Sequence, residues 1–272
     1  MEREDLRLSR IDTVWSIVRK AHDDCGQEAR SAQRLLIDRY GGAIRRYLLG
    51  ALRDQDAAEE LFQQFSLNLV RGGFGRADPA HGRFRNFVKT SLFHLIVDYQ
   101  RQRRRGGLQP ATASGTFDPA DSQVSPSQLG SLAEEEAAFA RSWREELLAR
   151  AWEGLAELEE SAGTPYYTVL RFRFDHPEMH SPEMATHLST RLGKRVSATS
   201  VRVLLHRARE TFAELLLDAV LGSLEDPSSD EAEEELIDLG LLDYCRSTLR
   251  RRREKGQEPC NAQDKQEGVA EE

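Results

Sequence analysis

The sequence lacks the features that mark membrane, secreted and metal-binding proteins. None of its apolar runs approaches the ~20 residues that a membrane-spanning helix requires. The charged N-terminus, MEREDLRLSR, has no signal-peptide core. The three cysteines are far apart and form no CxxC pair, so reduced thiols are expected rather than a disulfide or zinc framework. These absences favour a cytoplasmic protein without a membrane span.

Recognisable catalytic motifs are also missing. The sequence has no Gly-rich phosphate loop, and no Ser/His/Asp set or carboxylate pair stands in a known frame. His176 and His180 are four residues apart, but Pro177 follows the first histidine, so HExxH is absent and a loop with incidental histidines is expected. We therefore expect no enzyme activity, no cofactor and no metal.

Helical periodicity is what the sequence does contain. Apolar residues recur every third or fourth position in many segments, and few segments alternate as strands do. The chain of 272 residues is long enough for two small domains with linkers. We predict an all-α fold in which two small helical domains are joined by a flexible linker and followed by a helical C-terminal extension. The predicted segments are an N-terminal extension (1–31), a first domain (32–105), a linker (106–133), a second domain (134–222) and an acidic extension with one helix and a disordered tail (223–272).

Local signals predict where several helices begin and end. Asp56 is expected to cap the helix that follows it, and Ser181, which precedes a proline, is expected to cap another. Gly193 is expected to end that second helix. Thr199 or Ser200 is then expected to begin the last core helix.

Charge is unevenly distributed along the chain. The net charge of −8 by itself argues against a nucleic-acid ligand. However, residues 81–105 contain seven Lys or Arg against one acid, and residues 189–212 contain six against one. Such local fields govern phosphate binding more than the total charge does.

Three segments carry candidate interfaces. The helix within 82–105 has one apolar face and an opposite face that mixes basic, amide and aromatic side chains, which suits single-stranded DNA; the alternative is a solvated basic helix. Segment 181–212 fits a helix-turn-helix for the major groove, with a longer turn than usual, or a generic helical hairpin. Segment 56–69 has an acid- and amide-rich face, which suits a basic protein partner or is simply solvated surface.

The order of these segments resembles the bacterial sigma-70 family. DAAEELFQQF resembles its core-binding helix, and GRFRNFVKTSLFHLIVDYQRQRRR resembles its promoter −10 element helix, both in region 2. SPEMATHL and SATSVRVLLHRARETFAELL resemble region 4, which reads the −35 element. Two such regions without a domain between them are the layout of extracytoplasmic-function sigma factors. The resemblance covers residues 32–105 and 136–220.

The resemblance implies transcription initiation as the function, with RNA polymerase core (β′ clamp coiled coil and β flap) and promoter DNA as partners. It also allows an anti-sigma protein. The implied core-binding residues are Asp56, Glu59, Glu60, Gln63 and Gln64. The implied −10 residues are Arg83, Arg85, Asn86, Lys89, His94, Arg101, Arg103 and Arg104. The implied −35 residues are Lys194, Arg195, Thr199, Ser200, Arg202, His206 and Arg207.

Two questions stay open at this level. The acidic stretch after residue 223 either shields a basic DNA-binding face, or its Leu-rich helix docks on a partner, or the extension is simply a packed helix with a disordered tail. The chain as a whole is either a sigma factor, a stand-alone helix-turn-helix regulator that binds duplex DNA without polymerase, or a protein-binding helical scaffold.

Overall fold

The computed structural model describes residues 17–18, 27–70, 83–104, 129–224 and 227–256. All regular structure in these residues is helical, which confirms the all-α prediction. Most of the predicted N-terminal extension, most of the predicted linker and residues 257–272 lie outside them. The helices are α1 (Gln27–Leu52), α2 (Gln55–Val70), α3 (Phe84–Arg104), α4 (Leu129–Ala162), α5 (Tyr166–Asp175), α6 (Ser181–Arg191), α7 (Ala198–Leu221), α8 (Ser229–Asp238) and α9 (Leu242–Gly256).

The capping residue of α2 differs from the predicted one. The Asp54 carboxylate accepts hydrogen bonds from the backbone N–H groups of Asp56 (3.1 Å) and Ala57 (3.2 Å). The prediction that Asp56 caps this helix was wrong, because the carboxylate of Asp54, two residues earlier, accepts from the free N–H groups of the first turn. Asp56 instead lies in the first turn, where its charge suits the positive end of the helix dipole.

Helices α6 and α7 also begin earlier than predicted. The N-cap of α6 is His180 rather than Ser181, and the backbone N–H of His180 donates to Glu183 at 3.2 Å. The N-cap of α7 is Ser197, whose hydroxyl accepts from the N–H of Ser200 at 3.1 Å, so the predicted start at Thr199 or Ser200 was one or two residues late. The side chain that can satisfy the free N–H groups decides each boundary.

The long helix α4 forms the spine of the fold. Its 34 residues span about 51 Å, and it begins at Leu129, four residues before the predicted end of the linker. Phe139 and Trp143 in its first half pack against α1 and α3, whereas Trp152 in its second half packs against α5 and α7. One helix therefore contacts both parts of the chain that were predicted to be separate domains.

An aromatic cluster fixes the crossing of α1, α3 and α4. The ring of Tyr40 stacks on Trp143 with centroids 4.7 Å apart and lies 5.4 Å from the ring of Phe84. Burial in this cluster raises the pKa of the Tyr40 phenol to about 12. Helices α1 and α4 approach closely at Gly42, where an added Cβ would meet the carboxylate of Glu146 and this flexible side chain would have to shift.

Two apolar cores of unequal size hold the helices together. The larger core takes side chains from α1, α2, α3, α4, α7, α8 and α9, together with Ile17 and Val18. The smaller core lies between α5, α6 and the first half of α7, and includes Val169, Met184 and Val201. The larger core therefore contains residues of both predicted domains and of the extension. The predicted domain boundaries stay predictions.

The described part of the C-terminal extension contains two helices where one was predicted over 236–249. The chain turns at Gly240, whose φ of +64° is readily adopted by glycine, and this turn separates α8 from α9. Leu236, Leu241 and Cys245 in the extension are fully buried in the larger core. Burial raises the pKa of the Cys245 thiol to about 12. The extension is thus an integral part of the packed structure.

Among the described residues, no helix is both long and apolar enough to cross a membrane.

Candidate nucleic-acid and protein interfaces

The acid- and amide-rich face of α2 is open to solvent. Glu59 forms an exposed ion pair with Arg45 at 3.3 Å, and the Arg45 guanidinium lies 3.6 Å from the ring centroid of Phe62. Exposed pairs of this kind contribute little and are easily exchanged. The face is therefore accessible to a partner. Of the predicted core-binding residues, all but the half-buried last one are exposed: Asp56, Glu59, Glu60, Gln63 and Gln64.

The predicted −10 residues on α3 divide into two groups at opposite ends of the helix. Arg85 and Lys89 belong to the N-terminal group, and Arg101 is about 24 Å further along the helix axis than Arg85. The C-terminal group is exposed and lies where the helix dipole favours positive charge; its members are Arg101, Arg103 and Arg104.

Two arginines at the N-terminal end of α3 are paired with the C-terminal extension. Arg85 is only 7% exposed and binds Glu235 in α8 through two hydrogen bonds, Nε to Oε1 at 2.9 Å and Nη2 to Oε2 at 3.0 Å. Arg83 donates to Glu235 at 2.8 Å, to Asp238 at 2.5 Å and to Glu234 at 3.2 Å. Arg83 and Arg85, which were both predicted to contact DNA, therefore bind carboxylates of the same chain in this structure.

The remaining polar residues of α3 are more accessible. Asn86 is exposed, and Lys89 binds Glu136 in α4 at 2.5 Å, which lowers the pKa of that carboxyl group. His94 is half-buried, with the ring of Phe93 edge-on at 5.8 Å between centroids. Burial is the main cause that lowers the pKa of His94; Arg101 acts in the same direction and Asp98 opposes it. The neutral imidazole is therefore favoured.

Helices α6 and α7 form the predicted helix pair. Val201 and Leu205 on α7 pack against Met184, Ala185 and Leu188 on α6, and all five are buried. The small side chain of Ala185 allows the two helices to pack closely. This packing fixes which side of α7 faces outward.

The outward side of α7 carries five of the seven predicted −35 residues, and the other two lie in the turn before it. His206 is exposed, and its Nδ1 lies 3.3 Å from a carboxylate oxygen of Glu210. Val203 is 45% exposed beside it, which offers an apolar contact of the kind that a thymine methyl group accepts. The predicted −35 residues are all exposed: Lys194, Arg195, Thr199, Ser200, Arg202, His206 and Arg207.

The long turn between α6 and α7 is held by one serine. The Ser189 hydroxyl donates to the Ala185 carbonyl at 2.6 Å and accepts from the Val196 N–H at 2.9 Å. Val196 is buried in the smaller core, and Gly193 adopts a φ of +62° where α6 ends, as predicted. The turn thus holds Lys194 and Arg195 in fixed positions at the surface.

Residues of the extension had no predicted position in any site. Glu235 joins the basic end of α3, as described above. Arg251 in α9 lies 3.6 Å from Glu210 and 3.8 Å from Glu214, and Arg252 lies 2.7 Å from Asp218, all on α7. The acidic run at 225–235 and the basic run at 250–253 were visible in the sequence. Their partners were not, because charge complementarity alone does not select one basic surface among several.

The chain matches no protein-family model, and neither a curated protein nor a solved structure is significantly similar to it.

Proposed function

We propose that the protein is a sigma factor of the extracytoplasmic-function type, which brings RNA polymerase to promoter DNA and helps to open it. In this proposal the α2 face binds the polymerase, α3 holds the melted −10 strand, and α6 and α7 read the −35 duplex. No catalytic step is assigned to the chain, since bond formation belongs to the polymerase.

The observation that carries the proposal is the arrangement of α6 and α7. Every member of the predicted −35 set is exposed, while the opposite side of both helices is buried. A helix anchored in this way can enter the major groove with its N-terminal residues toward the base edges. Arg202 and Arg207 suit bidentate binding to guanine, and Lys194 and Arg195 suit backbone phosphates.

The open face of α2 supports the polymerase part of the proposal. Its acids and amides are exposed, and a DNA-binding role does not suit them because carboxylates repel phosphate. A stand-alone DNA-binding protein would leave this face without a use. A basic protein surface is the partner whose charge it fits.

The second candidate function is a regulator that binds duplex DNA without polymerase. One observation favours it: the surface suited to duplex DNA is open, whereas the N-terminal part of the surface suited to a single strand is occupied by α8. The two candidates differ in what the free protein does. A regulator binds duplex DNA tightly on its own, and a sigma factor requires polymerase.

The test is transcription in vitro by purified bacterial core polymerase on a pool of promoter-length duplexes of random sequence. We expect transcripts that depend on the protein, and the transcribed templates should share two short motifs. Absence of such transcripts, together with no retention of core polymerase by the immobilised protein, would overturn the proposal. Tight binding to duplexes without polymerase and no binding to core would favour the regulator.

A double charge-reversal variant tests whether the α2 face is the surface that binds the polymerase. Glu59→Lys with Glu60→Lys should abolish retention of core polymerase, because it places like charges against a basic partner. The matched control is Glu157→Lys with Glu160→Lys on the exposed side of α4, which makes the same change of net charge elsewhere. Equal loss of retention in both variants would show that the α2 face is not the contact.

A further inference from the structure

The acidic helix α8 lies across the basic N-terminal end of α3. Its ten residues include six acids and no base. Three of these carboxylates, those of Glu234, Glu235 and Asp238, contact the guanidinium groups of Arg83 and Arg85 at 2.5 to 3.4 Å. The basic end of α3 therefore already holds an anionic ligand, which the chain itself supplies.

Burial shows how completely this ligand occupies Arg85. Glu235 is fully buried, and its two oxygens accept in parallel from Arg85. A backbone phosphate offers a guanidinium group the same bidentate geometry and the same sign of charge. While Glu235 is in place, however, Arg85 is only 7% exposed and its Nε and Nη2 donors already bind the Glu235 carboxylate. The carboxylate and a phosphate therefore exclude each other at Arg85.

Helix α8 is held in place from its other side as well. Arg253 near the end of α9 pairs with Asp230 at 3.2 Å and Glu233 at 2.8 Å. Leu236 and Leu239 anchor α8 in the larger core. Because α8 is tethered to the same chain, it competes at a high effective concentration with any ligand from solution.

We propose that α8 is a built-in competitor of the nucleic-acid strand for Arg83 and Arg85. With α8 docked, the strand-binding face of α3 is incomplete, because Arg83 and Arg85 bind carboxylates while the C-terminal arginines Arg101, Arg103 and Arg104 are exposed. Release of α8 frees the N-terminal arginines and completes the face. Strand binding and α8 docking therefore weaken each other by the same factor. The inference rests on the proposed function, since it regulates the −10 surface assigned there.

The test measures binding of the full chain to a labelled single-stranded DNA of mixed sequence. The first variant is Glu234→Gln with Asp238→Asn, which removes the two exposed carboxylates and leaves the buried one. We expect about fivefold tighter binding and a steeper salt dependence. The matched control is Asp243→Asn with Glu254→Gln, which removes two exposed carboxylates of α9 that do not contact α3. This control should bind as the wild type does.

A second measurement separates competition from a general charge effect. Hydrogen exchange of the amides in 229–238 should rise in the wild type when saturating DNA is present, because the strand displaces α8. Equal affinity of the first variant and the wild type, or unchanged exchange in α8 on DNA binding, overturns the inference.

A third variant distinguishes failure of the inference from failure of the proposed function. Replacing Arg101, Arg103 and Arg104 by alanine removes the open part of the face without touching α8. If the wild type binds the strand and this triple variant does not, the −10 surface stands even where α8 proves irrelevant. If no variant binds a single strand, either alone or with core polymerase bound, both the surface and the competition are overturned.

Discussion

Helices α3 and α7 each carry a run of basic side chains, and the neighbours of those side chains differ. At the start of α3, Arg83 and Arg85 are enclosed by carboxylates of α8. At the start of α7, Arg202 and Arg207 point into solvent. The same residue type thus serves as part of a packed interface in one helix and as free surface in the other.

The difference shows what a basic run in a sequence does and does not establish. Both runs predict a field that attracts phosphate, and both contain arginines with the right donors. Whether the donors are free depends on a segment about 150 residues away, which no local pattern reveals. The enclosed arginines of α3 and the exposed arginines of α7 are therefore tested together, by measuring the stability and the DNA binding of variants at each surface.

The largest effect is expected at the enclosed surface, from Glu235→Ala. This change leaves the Arg85 guanidinium buried with only a 3.4 Å contact to Asp238. Removing one partner of a buried pair lowers the free energy of unfolding by about 3–5 kcal/mol. Urea denaturation followed by circular dichroism measures the loss.

Two controls accompany that measurement. Glu210→Ala removes a carboxylate from exposed pairs on α7 and should cost less than about 1 kcal/mol. Arg85→Met combined with Glu235→Leu replaces both charges by apolar groups and should recover most of the loss. If Glu235→Ala is as stable as Glu210→Ala, the two surfaces do not differ as described.

A smaller effect, on binding rather than on stability, is expected at the open surface. Arg202→Ala and Arg207→Ala should each weaken binding of the polymerase complex to its promoter duplex by about tenfold or more, since a good base contact contributes about 1–3 kcal/mol. Because both side chains are exposed, the free energy of unfolding should stay within about 0.5 kcal/mol of the wild type.

The control for this prediction is Arg141→Ala, an exposed arginine on α4 outside every predicted site. It should change neither promoter binding nor stability. Promoter binding that falls equally in all three variants would indicate a general dependence on net charge rather than reading by α7. A loss of stability in Arg202→Ala would mean that the open surface is also structural.

Periodicity predicted most of the helices and their buried sides. The stripe of α3 that includes Val88 and Leu92 is buried as expected, and so is the anchoring side of α7 at Val201 and Leu205. A repeat of three to four residues is a local property of the chain, so a sequence read residue by residue contains it. For the same reason the exposure of the predicted −35 residues follows directly from the position of the anchoring residues.

Helix ends and long-range pairs were less accessible to sequence reasoning. Asp54 and Asp56 are both good capping residues, and their relative geometry decides between them. The pairing of Arg85 with Glu235 depends on how α8 packs against α3 in the folded chain. Nothing in the local sequence distinguishes Glu235 from the neighbouring acids of the same run. Only packing, with Leu236 buried next to it, turns this carboxylate inward.

The smallest effect is expected in the turn that positions the open surface, from Ser189→Ala. Without the hydroxyl, the N–H of Val196 loses its 2.9 Å acceptor, while packing of the Val196 side chain in the smaller core is retained. An unsatisfied N–H at this depth should cost about 1 kcal/mol in the free energy of unfolding. The control Ser161→Ala removes a hydroxyl that bonds only within its own helix and should stay within about 0.5 kcal/mol. Promoter binding should fall less in Ser189→Ala than in Arg202→Ala. The turn positions Lys194 and Arg195, which suit backbone phosphates, and the proposed base contacts of α7 are retained. If Ser189→Ala matches the wild type in stability, burial of Val196 alone holds the turn, and the hydroxyl has no part in orienting the surface.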